Sequence, residues 1–146
     1  ALTDDVHAPR HASRWNVPPA LATIGAAESE RTATVVWNVL DGIPHGVFLW
    51  NVFPLHPHEA NTPFSNRQHN SLERKAGVEI MIDLVRRLKP VRIVAIGNDA
   101  ADAARKLDLS IPVLPVRHPS YGGQRQFVAQ MAAVYGAPSR RHIDLL

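Results

Sequence analysis

Three short apolar runs, each closed by polar or turn residues, divide the chain into alternating elements. They cover residues 47–51, 91–96 and 111–116 and are rich in β-branched, leucine or aromatic side chains. Runs of this length are typical of strands buried on both faces of a parallel sheet. Around them, apolar positions recur at helical spacing and predict helices. The predicted helices cover residues 28–40, 72–88, 100–107 and 123–135.

The alternation of helices and strands predicts an α/β fold, a three-layer α/β/α sandwich with a short central parallel sheet. We treat residues 1–146 as one domain and expect a monomer. Three strands are few for such a sheet, so we expect a first strand upstream of Ala1. Within the chain, Asp4 or Asp5 is predicted to cap a short turn and Ser71 the long helix, which Pro90 should end.

Composition narrows the function classes. The net charge of +3 suits a polyanionic partner, although it equally fits a plain basic surface. Without cysteine, these residues can form no disulfide, thiolate nucleophile or cysteine-bound iron–sulfur cluster. No apolar run approaches the roughly 18 residues of a membrane span. No signal segment opens the chain, so we expect a cytoplasmic protein.

Two polar loops follow the first and last predicted strands. Asn51 ends the first strand, and its amide offers the one acceptor and two donors that can read an edge of a flat heterocycle. The second loop, 117–123, contains His118 and ends in two glycines. Ligands of α/β sheets bind outside the carboxyl ends of strands, so both loops should face one crevice. Asn51 is equally interpretable as a turn cap, and His118 as a loop histidine bonded to backbone.

Other side chains near these loops allow more than one role. Phe53 is a candidate for stacking on a base, with burial in the core as the equal alternative, whereas Trp37 and Trp50 are interpreted as core. His56 and His58 form a weak metal-site signal, which leaves a metal-dependent α/β hydrolase as an alternative. The polar loop 58–70 is of a length usually associated with function or disorder.

Four short motifs occur in an order that resembles the uracil-DNA glycosylase superfamily. They are Leu-Trp-Asn at 49–51, Pro-Leu-His-Pro at 54–57, Ile-Gly-Asn at 96–98 and His-Pro-Ser at 118–120. The resemblance covers roughly residues 1–135. It implies a glycosylase that hydrolyses the bond between uracil and deoxyribose in DNA repair, with no metal or redox cofactor. A member that recognises uracil or abasic DNA without turnover is the alternative.

The resemblance also implies roles for particular residues. Asn51 would bind the uracil edge with Phe53 beside it, and His118 would stabilise charge on uracil O2. Ser120, Tyr121 and Gly122 would hold the DNA backbone and fill the gap left by the flipped base. We further expect phosphate contacts from Arg117, Arg125, Ser65 and Arg67. The family's first motif, which carries the water-activating residue, is expected upstream of Ala1, with Leu2 where many members have a stacking phenylalanine.

Overall fold

The computed structural model describes residues 4–12, 16, 26–27, 29–55, 57–62, 65, 67–107 and 110–136. The tail 137–146 and residues 1–3, with Leu2, lie outside these ranges. The chain forms two compact units, one of residues 1–49 and 117–146 and the other of residues 50–116. No helix in the described part is both long and apolar enough to cross a membrane.

The second unit contains a two-stranded parallel sheet. Strand β1, Ile93–Ile96, pairs with β2, Val113–Val116, with Ile93 opposite Val113. A short helix between them, Asn98–Arg105, packs small alanine side chains on the sheet, and Ala95, Ala101 and Ala104 form a buried cluster. These findings confirm the predicted strands at 91–96 and 111–116, their parallel pairing and the helix that connects them.

The predicted strand at 47–51 is wrong. No regular structure is assigned to these residues, and Phe48 is 57% exposed although a strand buried on both faces was expected. β-forming side chains do not by themselves make a strand, because the backbone N–H and C=O groups also need a neighbouring strand. Among the described residues, this run has no such ladder partner.

The long helix of the second unit, Ser71–Leu88, confirms the predicted range 72–88 but not its predicted cap. Asn70, not Ser71, is the N-cap: its side-chain oxygen accepts the Glu73 backbone N–H at 2.9 Å. The Glu73 carboxylate accepts the Asn70 backbone N–H at 2.8 Å, which completes a capping box. Lys89 adopts the left-handed conformation beyond the last turn, and Pro90 follows.

The first unit is helical in its described part, with helices His7–Ala12, Arg31–Leu40 and Gln124–Tyr135. The second of these contacts the other two. Their apolar faces make its core, in which Val36 and Phe127 are fully buried and Trp37 is 5% exposed, as predicted for a core tryptophan. The predicted helices 28–40 and 123–135 are thereby confirmed with slightly shorter bounds.

Asp4 connects the first helix of this unit to the start of the second. Its carboxylate accepts the backbone N–H groups of His7 and Glu30, both at 2.7 Å, and lies 2.7 Å from His7 Nδ1. Burial acts to raise the pKa of Asp4, but these donors outweigh it and hold the pKa below its ordinary value. The predicted cap at Asp4 is thus confirmed, and it also binds the more distant Glu30.

In chain order we label the helices α1 (His7–Ala12), α2 (Arg31–Leu40), α3 (Ser71–Leu88), α4 (Asn98–Arg105) and α5 (Gln124–Tyr135). Strand β1 lies between α3 and α4 in the chain, and β2 lies between α4 and α5.

Candidate functional site

The loop 117–123 is held closely against the start of α5. The Arg117 backbone N–H donates to the side-chain oxygen of Gln130 at 2.6 Å, and the Gly123 N–H donates to the Ser120 carbonyl at 3.0 Å. Gly123 has no room for a side chain, because a Cβ there would overlap the His118 carbonyl oxygen and lie 3.1 Å from the Ser120 carbonyl oxygen. The loop backbone is therefore positioned by helix contacts on both sides of His118.

The contacts of Ser120 favour one tautomer of the neutral His118 ring. The Ser120 backbone N–H donates to His118 Nδ1 at 3.2 Å, and the Ser120 hydroxyl lies 2.7 Å from the same nitrogen. A ring nitrogen that accepts a hydrogen bond carries no proton, so the neutral ring has its proton on Nε2. Burial, together with the positive charge of Arg117, lowers the pKa of His118. In this neutral form Nε2–H is a donor, and it has no hydrogen-bond partner among the described residues.

The residues after Ser120 have an unusual backbone. Tyr121 adopts φ 51° and Gly122 φ 76°, both in the left-handed region. A glycine accepts this conformation freely, whereas a tyrosine in it costs on the order of 1–3 kcal/mol. The Tyr121 side chain is 98% exposed, so no packing on the ring by the described residues compensates for this cost. Strain combined with a fully exposed aromatic ring indicates a surface that meets a partner.

The segment around Asn51 lies against α3. Asn51 is exposed, while Val52 and Phe53 are half-buried. At Gly77 of α3, the backbone carbonyl of Val52 occupies the place that a side chain would take. Trp50, which was predicted in the core, is half-buried, and its Nε1 is a buried donor without a partner in the described part of the chain.

Hydrogen bonds within loop 58–70 and to the start of α3 hold the described part of this loop. Arg67 donates two parallel hydrogen bonds to the Glu73 carboxylate, at 2.8 and 2.6 Å, and a third to the His58 carbonyl at 3.1 Å. The Ser65 hydroxyl donates to the Thr62 carbonyl at 2.7 Å and accepts the backbone N–H of residue 59 at 2.8 Å. A phosphate contact by Arg67 would therefore require it to exchange its ion pair with Glu73.

The predicted site residues fall into the two units. The first unit brings six of them together at the start of α5: Arg117, His118, Ser120, Tyr121, Gly122 and Arg125. Asn51, Phe53, Ser65 and Arg67 belong to the second. Arg117 and Arg125 are exposed, and neither forms an ion pair with an acidic side chain in the described ranges.

The metal-site alternative gains no support from geometry. His56 lies outside the described residues, and His58 donates its Nδ1–H to the Glu59 carbonyl at 3.0 Å. Within the ranges that the structure describes, no three histidine or acidic side chains are placed to hold a metal ion.

Sequence reasoning missed three residues that support the two loops, Gly77, Gln130 and Glu73, and it did not predict the contact of Gly123 with the His118 carbonyl. Two signals were available. Asn70 followed three residues later by Glu73 is the pattern of a capping box. A glycine inside a helix, as at position 77, often marks a close backbone approach. The role of Gln130 depends on a contact across 13 residues and has no local signal.

Comparison with known proteins identifies the family. The family model for the uracil DNA glycosylase superfamily matches residues 20–134, well over half of the chain. The chain therefore belongs to the uracil-DNA glycosylase superfamily, which supports a glycosylase-like function on DNA. Searches of curated proteins and of solved structures found no significant match.

We predict that nitrogen NMR at pH 7 finds the His118 proton on Nε2 and that its pKa lies below 6.5, because Ser120 donates to Nδ1 and burial disfavours the cation. Ser120→Ala is the control: it removes the hydroxyl but keeps the backbone N–H, so the Nε2–H form should persist. A proton on Nδ1 in the wild type would contradict this assignment.

We predict that Glu73→Gln removes an acid-sensitive part of the stability. Hydrogen bonds from the Arg67 side chain and from the Asn70 backbone N–H lower the pKa of Glu73 from 4.5 to about 2. Between these values the unfolded chain binds a proton that the folded chain does not, so wild-type stability falls as pH falls. Urea unfolding at pH 6 and pH 3 should show a smaller drop in Glu73→Gln than in the wild type.

The exposed Glu79, on the same helix, provides the matched control. Glu79→Gln should retain the wild-type drop in stability between the two pH values. An equal drop in wild type, Glu73→Gln and Glu79→Gln would show that the ion pair between Arg67 and Glu73 does not hold in solution.

Proposed function

We propose that this protein is a uracil-DNA glycosylase that hydrolyses the N-glycosidic bond of a uracil flipped out of DNA. The observation that carries the proposal is His118, a neutral ring fixed by Ser120 with Nε2–H directed away from its own loop contacts. Membership in the uracil-DNA glycosylase superfamily supplies the reaction class. Base excision requires the base outside the duplex, in a pocket that reads its edge.

Asn51 is proposed to read that edge. Uracil presents an N3–H donor and an O4 acceptor, which an amide side chain can satisfy by accepting from the first and donating to the second. Cytosine presents the opposite polarity at both positions. A mismatched edge leaves buried polar groups unpaired at a cost of about 1–3 kcal/mol each, so a fixed Asn51 amide rejects cytosine. The exposed position of Asn51 leaves its amide accessible to a base.

His118 is proposed to stabilise the leaving base. When the bond between C1′ and N1 breaks, both electrons stay with uracil, and the negative charge is shared by N1, O2 and O4. A donor fixed near O2 stabilises this anion as an oxyanion hole does, by about 2.7–4 kcal/mol. Water then adds to C1′ and releases a proton. The lowered pKa of His118 favours a neutral donor, which keeps its proton during the reaction.

The DNA strand is proposed to cross the surface of loop 117–123. The guanidinium groups of Arg117 and Arg125 are exposed and have no acidic partner among the described residues, which suits phosphate contacts, and Ser120 and Gly122 provide backbone close to the strand. The exposed ring of Tyr121 is proposed to fill the gap that the flipped uracil leaves. Ser65 and Arg67 stay proposed as secondary contacts, with Arg67 exchanging Glu73 for a phosphate.

The test is single-turnover release of uracil from a duplex oligonucleotide in the presence of a chelator, with a binding titration of the same duplex. The wild type should release free uracil. His118→Ala should release it about 10²–10³-fold more slowly, the usual cost of one such donor, with a much smaller loss of binding. His45→Ala, which changes an exposed histidine of the same unit, is the control and should match the wild type.

Three other results would contradict this proposal. Tight binding of the duplex by the wild type without release would favour a recogniser of uracil or abasic DNA. Release that the chelator abolishes would favour a metal-dependent hydrolase. A His118→Ala variant as fast as the wild type would exclude the proposed role of this side chain.

A further inference from the structure

Helix α3 contains a glycine that its own secondary structure does not require. Gly77 lies in the interior of an 18-residue helix and is the one residue of that helix classed as buried. Its backbone is ordinary, because its φ is not positive. A glycine in a helix interior costs about 1 kcal/mol relative to alanine. Some contact outside the helix must therefore favour the absence of a side chain at this position.

That contact is with the backbone that follows Asn51. A Cβ on Gly77 would overlap the Val52 carbonyl oxygen, well inside the 3.0 Å that real Cβ contacts respect. It would also lie 3.0 Å from the Val52 carbonyl carbon and 3.4 Å from the Phe53 Cα. All three are backbone atoms, so no side-chain rotation could relieve the overlap. The helix and this loop approach each other as closely as their backbones allow.

We propose that Gly77 is a positioning residue that sets base specificity by holding the Asn51 loop. The proposal rests on the proposed function of Asn51 in reading uracil. The Val52 carbonyl belongs to the residue directly after Asn51 and directly before Phe53. Any side chain on Gly77 must push this carbonyl away from α3, and the connected peptide planes then displace the two residues proposed to contact uracil.

The effect should fall on recognition of the base and leave contacts to the DNA backbone unchanged. Reading N3–H and O4 together requires the Asn51 amide at a defined position and angle, and a misplacement of about 1 Å can cost about 10²-fold in rate. The residues proposed to contact phosphate at loop 117–123 belong to the other compact unit and have their own supports at Gln130 and Gly123. A variant that recognises uracil poorly but still binds abasic DNA with wild-type affinity cannot be explained by general unfolding.

The experiment compares Gly77→Ala with Gly46→Ala. A Cβ at Gly46 would meet nothing within 4 Å, and its φ is not positive, so this control changes a glycine without an overlap. For Gly77→Ala we expect uracil release about 10²-fold slower and inhibition by free uracil at least about 10-fold weaker. Affinity for a duplex with an abasic site should stay within about twofold of wild type. Gly46→Ala should match the wild type in all three assays.

Three results would overturn the proposal. The first is a Gly77→Ala variant that equals Gly46→Ala in uracil release and in inhibition by free uracil. The second is a Gly77→Ala variant that loses affinity for abasic DNA as strongly as it loses uracil release, which indicates a general defect. The third is a wild type that releases no uracil, which would contradict the proposed function itself. The wild-type assay shows this failure separately from the comparison of Gly77→Ala with Gly46→Ala.

If circular dichroism shows that Gly77→Ala does not fold, the wild type still decides the question. Titration with free uracil should shift the NMR signal of the Gly77 backbone amide and leave that of Gly46 unchanged. A Gly77 signal that stays in place while uracil binds would overturn the proposal.

Discussion

Close backbone contact at a glycine, made possible by its missing side chain, is the constraint on which each of the two candidate loops depends within its own unit. Gly77 admits the backbone that follows Asn51, and Gly123 admits the carbonyl of His118. In each case the contact joins backbone to backbone, which is less adaptable than contact between side chains. A loop supported in this way can hold a donor or acceptor to within the fraction of an ångström that base recognition needs.

The electrostatics of the His118 loop follow from the same support. With Arg117 held by Gln130 and the turn closed at Gly123, the Ser120 backbone N–H is directed at His118 Nδ1. This hydrogen bond favours the neutral form with its proton on Nε2, and burial lowers the pKa of His118. Helix contacts therefore determine not only where the imidazole lies but also what it can donate. The exposed Tyr121 next to it completes a surface suited to a nucleic acid.

Local patterns predicted the periodic elements well. Helical spacing placed α2, α3 and α5 within a few residues, and the apolar runs placed β1 and β2 with the correct parallel pairing. The run at 47–51 had the same composition but no pairing partner among the described residues, a property of the whole sheet that composition does not contain. Ser71 is a residue type that caps helices, but Asn70 is the N-cap because it stands three residues before Glu73 and forms reciprocal hydrogen bonds with it.

The candidate site residues were easier to propose from the sequence than the residues that hold their loops in place. Asn51 and His118 stay predictions, since each also fits a structural role in its loop, whereas the order of the four motifs indicated the family that the comparison then identified. Two supporting contacts had no such signal: Arg67 pairs with Glu73, and Gly77 contacts Val52. In both cases the intervening chain can follow many paths, so the sequence does not show that the residues meet. Such contacts become visible only when the backbone is placed.

The proposed role of Asn51 in reading the uracil edge is tested most directly by the ratio of single-turnover release of uracil to that of cytosine, measured for the wild type and for Asn51→Asp. A carboxylate can accept but cannot donate to O4. We expect Asn51→Asp to release uracil much more slowly than the wild type and to have a much smaller ratio of uracil release to cytosine release. Unchanged uracil release and an unchanged ratio would show that Asn51 is structural and that the pocket lies elsewhere.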